Sequence, residues 1–294
     1  MAEENIRSKI WREVSQEGNP FVAEKCFCAG YDVYGDMLNK ASWIEYLYLL
    51  IKGEKPSSSH KRILEGLAIA LANPGPRDQS VHGAMSAAVG GSTSASCLMS
   101  ALGIGAGSFN GSREVYDAVL AWHFCANDLN SWCDYFQNEK AEGKAAEDDD
   151  VWPSSEHTAG FDPYAEHCAL PVKQTLEHLS QIGDVTALLW LSDHRCQLEE
   201  MAGMPLALSG VSAAAFIDLG FDEYQSEITY LFLRLPGALA HSLEQRAGGW
   251  RQFPFFRDGV VLTNDPKDCV ADSPAEEIIG KRSGEQSKEL ESHE

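Results

Sequence analysis

The sequence has few positively charged residues. Lys and Arg total 23 against 44 Asp and Glu, so the formal net charge of the 294-residue chain is −21. A surface with this excess of negative charge repels a phosphate backbone. The charge balance therefore argues against a general nucleic-acid-binding protein, and any anionic ligand must be met by a few well-placed cations.

The sequence also lacks the cysteine and apolar patterns of several protein classes. Its eight cysteines include no Cys-x-x-Cys pair, and their scatter predicts reduced thiols and no metal site. The first residues have neither the basic start nor the apolar run of a signal peptide, and residues 84–106 are too polar to span a bilayer. We therefore expect a cytoplasmic protein without a membrane partner. We also expect no permanently bound cofactor.

Apolar residues recur every three or four positions along most of the chain, which is typical of amphipathic helices. This spacing predicts helices at residues 42–52, 61–71, 84–102, 113–124, 170–182, 185–201, 210–219 and 228–246. Stretches of alternating apolar and polar residues are short and few. The sequence therefore predicts a mainly α-helical fold, in which the small residues of 84–102 form a close helix–helix or subunit contact.

Two acidic stretches do not fit the helical pattern. Residues 137–155 carry a cluster of Lys, Glu and Asp without apolar periodicity, which predicts a solvated loop or a disordered insertion. After Asn264 no apolar periodicity remains. We expect residues 264–294 to form an acidic tail that is flexible or loosely docked.

Two motifs of well-known enzyme classes are incomplete. Gly103-Ile-Gly-Ala-Gly107 looks like a dinucleotide-binding loop, but a helical segment precedes it where that motif requires a strand. Leu208-Ser209-Gly210 lacks the first glycine of the Gly-x-Ser-x-Gly turn that presents a nucleophilic serine. The sequence therefore disfavours a Rossmann dehydrogenase and a serine hydrolase.

His157 and Arg234 each allow two interpretations. His157 follows Glu156 and precedes Asp162, and a histidine near carboxylates suits acid–base catalysis, but an exposed loop histidine accounts for the same residues. Arg234 lies in an otherwise apolar helix, where a buried guanidinium needs an anion. A helix carboxylate or a substrate anion would each satisfy it.

The most specific pattern lies in residues 203–244. It contains Asp218-Leu-Gly-Phe221 and then Arg234-Leu-Pro-Gly-Ala-Leu-Ala-His241-Ser-Leu-Glu244. Together with an early apolar helix that ends in Gly53-Glu-Lys-Pro56, these segments resemble the citrate synthase superfamily. The resemblance is strongest to its shorter bacterial members and to the citryl-CoA lyase-like branch, and it runs over residues 10–263.

The resemblance implies an all-α, citrate synthase-like homodimer whose smaller helical domain closes over CoA and an acid substrate. The large domain would consist of residues 1–112 and 222–263, and the small domain of residues 113–221, including the acidic loop. Enzymes of this family join the methyl carbon of an acyl-CoA to a keto acid, or reverse that reaction, with two histidines and one aspartate.

Position by position, the residues expected to perform this chemistry are largely replaced. Asn110 stands where the family has the histidine that stabilises the enol, and Ser209 stands where it has the aspartate that removes the α-proton. His157 occupies the region of the second histidine, which polarises the keto group. Asn110 can donate a hydrogen bond to an enolate oxygen but cannot carry a proton, and a serine hydroxyl is a weak base without help from a neighbour.

The predicted substrate-binding residues are Arg234, Asp162, Tyr164 and Arg257. Arg234 aligns with one carboxylate-binding arginine of the family, Tyr164 replaces a second, and Arg257 offers a third out of register. A tricarboxylate would therefore lose most of its countercharge, so we expect a substrate with fewer carboxylates than citrate.

The resemblance thus implies a carbon–carbon lyase or synthase that uses a CoA thioester and a small keto or hydroxy acid. In the synthase direction it would be an acyltransferase that converts the acyl group to an alkyl group on transfer. The alternative is a non-catalytic homologue that binds a metabolite or pairs with an active subunit. Loss of the expected histidine at Asn110 and of the expected aspartate at Ser209 favours this alternative.

Overall fold

The computed structural model describes residues 8–145 and 157–253, which form a small sheet and eleven α-helices. The strands are β1 (Trp11–Gln16), β2 (Asn19–Cys28) and β3 (Tyr31–Asp32). The helices are α1 (Leu38–Lys40), α2 (Trp43–Lys52), α3 (Ser58–Leu71), α4 (Gln79–Val89), α5 (Ser94–Gly105), α6 (Ser112–Cys125), α7 (Leu129–Ala145), α8 (Leu170–Ser180), α9 (Ala187–Ala202), α10 (Leu208–Asp218) and α11 (Glu223–Gly248). A π-helical turn, Val33–Met37, precedes α1, and a 3-10 turn, Trp250–Gln252, follows α11. The prediction of a mainly α-helical fold is confirmed.

Capping residues explain why several helices begin where the sequence predicts. The Ser42 hydroxyl accepts a hydrogen bond from the Glu45 backbone N–H, and the Glu45 carboxylate accepts one from the Ser42 backbone N–H. Gly53 ends α2 with a left-handed φ of 75°. Asp222 and Gln225 form the same reciprocal pair at the start of α11. Each such cap stabilises a helix by about 1 kcal/mol.

The prediction of one helix over residues 84–102 is wrong, because the chain forms α4 and α5 there. Gly91 has a φ of 81°, which interrupts a right-handed helix. Thr93 then caps α5 by accepting a hydrogen bond from the Ser96 backbone N–H. The two helices pack closely through small residues, since a Cβ on Gly83 would lie 2.2 Å from the Cδ1 of Ile104. Helices α4 and α5 therefore pack against each other, whereas the predicted approach of another helix or subunit to residues 84–102 stays a prediction.

The prediction of a loop over residues 137–155 is wrong in its first part. Helix α7 continues to Ala145, because its first turns are fixed by the buried side chains of Trp132 and Phe136 and the following Lys, Glu and Ala residues favour helix continuation. The rest of this stretch lies outside the described residues, as do the predicted tail and Arg257.

The helical pattern does not predict the N-terminal sheet. Strand β1 pairs antiparallel with β2, and β2 pairs with β3. Every residue of β1 is exposed, and Phe21 is 95% exposed. Because the hairpin contributes little to the core, burial imposes no clear alternation on its sequence.

Helix α10 lies at the centre of the main apolar core. Every residue from Ser209 to Phe216 is buried, and α10 packs against α6 and α9. A Cβ on Gly210 would lie 2.4 Å from the Gly160 carbonyl oxygen, so two stretches of backbone meet at this place. The close approach brings the first turn of α10 beside the loop that starts at His157.

Residues 8–145 and 157–253 belong to one compact unit. The division into a large domain and a small domain stays a prediction. Within the described part of the chain, no helix is both long enough and apolar enough to cross a membrane.

Candidate active site

A tight loop before α6 positions Asn110. Asn110 has a φ of 53°, a left-handed conformation that asparagine tolerates better than most residues. A Cβ on Gly111 would lie 2.1 Å from the Gly107 carbonyl oxygen, and the Arg113 backbone N–H donates to that same oxygen at 3.2 Å. The loop is thus closed on itself directly before the helix.

Glu114, in the first turn of α6, is the centre of the site. Its side chain is 1% exposed. Its Oε2 accepts a hydrogen bond from the Asn110 backbone N–H at 2.7 Å, and its Oε1 accepts from the Ser209 hydroxyl at 2.5 Å and from the Gly160 backbone N–H at 3.2 Å. A buried carboxylate needs such partners, and the start of a helix favours negative charge.

His157 lies against the same carboxylate. Its Nε2 is 3.7 Å from Glu114 Oε2, which is within ion-pair range when the imidazole is protonated, and its side chain is buried. The Phe109 ring packs edge-on against the imidazole with 5.0 Å between ring centroids. The three predicted catalytic residues, Asn110, His157 and Ser209, are thus brought together around one carboxylate that the sequence analysis did not identify.

Arg234 is buried and already has a protein anion as its partner. One guanidinium nitrogen donates to the Asp78 carboxylate, and the other donates to the Asn110 backbone carbonyl at 2.8 Å. Asp78 also caps α4 by accepting from the backbone N–H groups of Ser80 and Val81. Of the two interpretations that the sequence leaves open, the salt bridge to a protein carboxylate is therefore present. A substrate anion that binds Arg234 would share the guanidinium with Asp78.

Tyr230 lies beside this ion pair. The Arg234 guanidinium carbon is 5.1 Å from the centre of the Tyr230 ring. Burial raises the pKa of Tyr230 to about 12, with Arg234 acting in the opposite direction and Glu114 and Asp78 adding to the rise. Tyr230 therefore remains a neutral phenol at physiological pH.

The predicted substrate-binding loop is attached to the start of α10. The Asp162 backbone N–H donates to the Pro205 carbonyl at 2.8 Å, and the Asp162 side chain accepts from the Tyr164 backbone N–H at 2.9 Å. Tyr164 is 80% exposed, and its ring lies edge-on to Phe109 at 5.4 Å. Asp162 thus stabilises the loop. Tyr164 lies at the surface and contacts Phe109, which in turn packs on His157.

Glu114 and Asp78 are the important residues that the sequence analysis missed. A usable signal exists for Glu114, because helical spacing places it on one face with Ala118, Ala121 and Cys125, which are all buried. A carboxylate on the apolar face of a helix is unusual and indicates a specific partner. No comparable signal marks Asp78, whose position resembles an ordinary helix cap.

Comparisons with known proteins find structural relatives only. No protein-family model and no curated protein matches the sequence. Citryl-CoA lyase from Hydrogenobacter thermophilus matches with a TM-score of 0.69 at 19% identity, over 92% of this chain and 98% of that one.

Two larger enzymes match less closely. ATP citrate lyase from Methanothrix soehngenii, solved in complex with citrate and coenzyme A, has a TM-score of 0.64 at 16% identity, over 91% of this chain and 44% of that one. Citrate synthase from Thermotoga maritima has a TM-score of 0.53 at 15% identity, over 78% and 61%. The resemblance stated from the sequence is confirmed at the level of structure: the chain has the fold shared by citryl-CoA lyase and citrate synthase.

Proposed function

We propose that this protein is a carbon–carbon lyase or synthase that uses a CoA thioester and an acid with fewer carboxylates than citrate. The observation that carries the proposal is the convergence of Asn110, His157 and Ser209 on Glu114 within this fold. The similarity to citryl-CoA lyase over nearly the full length of both chains supports it.

The charges near the site favour an acid with few carboxylates. Arg234 would hold one substrate carboxylate, but it shares its charge with Asp78. Tyr164 adds a hydroxyl and no positive charge. Each carboxylate taken out of water needs a charged or hydrogen-bonding partner, so a simple keto or hydroxy acid fits this set of residues better than a tricarboxylate.

Two of the three predicted catalytic residues, Asn110 and His157, have a defined task in this proposal. The Asn110 amide donates a hydrogen bond to the thioester oxygen as negative charge develops there. His157 donates a proton or a hydrogen bond to the carbonyl oxygen of the acid. CoA lies against the loop from His157 to Tyr164, where exposed Tyr164 offers a flat surface.

Isothermal titration of the purified protein with CoA, acetyl-CoA and oxaloacetate tests the proposal first. We expect a CoA species to bind, and a thioester that binds is then incubated with a panel of keto acids while free CoA is measured. Absence of binding by every CoA species would contradict the proposed function. Citrate itself should be a poor substrate for the reverse reaction.

A second function, that of a non-catalytic subunit, is favoured by one observation. The charge of Arg234 is neutralised by Asp78, and the Ser209 hydroxyl donates its hydrogen bond to Glu114. Both groups therefore already have partners within the protein. Such a subunit would bind CoA or a metabolite without turnover and would pair with an active partner. Binding of a thioester with no release of CoA in either direction would favour this function.

We also propose a homodimer that forms through α5. Its exposed surface contains Met99, which is 69% exposed, and Gly103, where an added Cβ would meet no atom within 4 Å. Small and apolar residues on an exposed helix face permit close packing of a second copy. Light scattering after gel filtration measures the mass, and Met99→Asp should shift a dimer toward monomer.

A further inference from the structure

We propose that Ser209 and Glu114 act as one proton-accepting pair, in which Ser209 contacts the carbon next to the thioester and Glu114 receives the serine proton. The inference rests on the proposed function. It assigns Glu114 as a positioning residue that acts through Ser209, and it identifies the source of the basicity that the serine itself lacks.

The first support is the hydrogen bond between the two side chains. Ser209 Oγ and Glu114 Oε1 are 2.5 Å apart, at the short end of the range for a hydroxyl that donates to a carboxylate. Both residues are buried, with exposed fractions of 4% and 1%. A hydroxyl becomes a useful proton acceptor when a neighbouring base takes its own proton, and Glu114 is in position to do so.

The second support is the way in which the carboxylate is fixed. Oε2 is held by the Asn110 backbone N–H at 2.7 Å, and Oε1 is held additionally by the Gly160 backbone N–H at 3.2 Å. With both oxygens bound, the carboxylate cannot rotate away from Ser209 without breaking a hydrogen bond. Such fixed geometry before the reaction is what a proton transfer requires.

The third support is the close packing that brings Ser209 to Glu114. The first turn of α10 approaches the 157–160 loop so closely that neither Gly160 nor Gly210 has space for a side chain, since added Cβ atoms would lie 3.0 and 2.4 Å from the other residue's backbone. The Ala207 backbone N–H also donates to the Gly160 carbonyl at 2.9 Å. Backbone contact at this point fixes the first turn of α10 against the loop whose Gly160 N–H also binds Glu114.

The proposed step conserves atoms and charge. The C–H bond next to the thioester breaks and its proton passes to Ser209 Oγ, while the hydroxyl proton of Ser209 passes to Glu114 Oε1. The electron pair of the C–H bond remains on the substrate as an enolate, whose oxygen accepts a hydrogen bond from the Asn110 amide. One negative charge thus moves from Glu114 to the enolate, and in the cleavage direction the same protons return.

Hydrogen exchange of the thioester tests this step apart from the complete reaction. The full chain is incubated with acetyl-CoA or propionyl-CoA in deuterated water, and loss of the α-hydrogen signal is followed by NMR. We expect Glu114→Gln and Ser209→Ala each to slow the exchange by roughly 100-fold, with CoA affinity unchanged within twofold. Asp218→Asn is the matched control, because it alters a partly buried carboxylate that accepts its hydrogen bonds from residues 186–188, and it should exchange at the wild-type rate.

A relocated carboxylate separates chemistry from structural support. In the double variant Glu114→Gln with Ser209→Asp, the carboxylate is placed on α10 itself, and exchange should recover at least tenfold over Glu114→Gln alone. A role limited to holding the loops together predicts no recovery. Circular dichroism and thermal melting establish that each variant is folded, and Ser209→Ala provides the same test if Glu114→Gln does not fold.

The outcomes distinguish this inference from the proposed function. Wild-type protein that binds no CoA species contradicts the proposed function. If wild-type protein exchanges α-hydrogens and Glu114→Gln does so at the same rate, the Ser209–Glu114 pair is contradicted and the proposed function is not. Wild-type protein that binds both thioesters and exchanges neither also contradicts the pair.

Discussion

Glu114 and Asp218 are both carboxylates that accept several hydrogen bonds near the start of a helix, but their donors differ in origin. Asp218 accepts four hydrogen bonds, all from residues 186–188 at the start of α9. The donors to Glu114 lie on the loop before α6, on the loop after His157 and on α10. Asp218 therefore caps one helix, whereas Glu114 fixes the relative positions of three segments. The origin of the donors, more than their number, distinguishes a cap from a site residue.

Arg234→Ala should have the largest effect on stability. Its partner Asp78 both caps one helix, as Asp218 does, and connects distant segments, as Glu114 does. Asp78 caps α4 and also holds Arg234 of α11. Removal of the guanidinium leaves a largely buried carboxylate and the Asn110 carbonyl without their partner, which should lower the free energy of unfolding by about 4 kcal/mol. Urea denaturation measures the loss. Arg234→Lys, which keeps the charge, should lose clearly less, and equal losses would show that charge is unimportant there.

Glu114→Ala should rank second. It leaves the Ser209 hydroxyl and two backbone N–H groups without an acceptor in a buried place, so we expect a loss of about 3 kcal/mol. Urea denaturation monitored by tryptophan fluorescence measures it. A loss below that of Asp218→Ala would contradict the view that Glu114 joins three segments.

Asp218→Ala should cost about 1 to 2 kcal/mol, the usual value of a helix cap. The donors that it frees belong to the first turn of α9, where a frayed turn can reach water. Hydrogen exchange of the amides of residues 186–188 should therefore increase, while exchange in α6 stays at the wild-type rate. Increased exchange in both helices would mean that Asp218 also supports the site.

Glu45 should have the smallest effect, and one that depends on pH. The Ser42 backbone N–H, followed by the Ser42 hydroxyl and Lys61, lowers the pKa of Glu45 from 4.5 to about 2. A carboxylate with a lowered pKa in the folded state stabilises the protein above its unfolded pKa and loses that contribution as the pH falls. The difference in melting temperature between wild type and Glu45→Gln should therefore be constant above pH 4.5 and shrink toward pH 2. A difference that does not change with pH would exclude an ionic contribution.

Much of the helical framework could be predicted from the sequence, because its signals are local. The Ser42 cap, the Gly53 stop and the apolar stripe between them define α2 within twelve residues. The resemblance of the flanking segments to one family also directs attention to positions 110, 157 and 209, whose catalytic roles stay a prediction. The structure adds that these three residues each contact Glu114.

The rest of the site could not be predicted because it depends on contacts between distant parts of the chain. Ser209 and Glu114 are separated by 95 residues, and Arg234 and Asp78 by 156. Helical spacing marks Glu114 as a carboxylate on an apolar face, but no local pattern identifies its partner, and none marks Asp78. The boundary at Gly91 could not be predicted for another reason, since the Gly and Ser residues of 84–102 suit close helix packing as well as a helix end.

The left-handed backbone at Asn110 has a consequence for how this site can change. Asparagine, aspartate and histidine are the non-glycine residues that adopt this conformation most readily, while Gly111 and the closed loop hold the backbone in place. The backbone of this loop therefore accepts an amide, a carboxylate or an imidazole side chain at position 110 without a change of conformation. A single codon could change the chemistry presented at the start of α6, and descendants of one ancestor could differ there while keeping the same architecture.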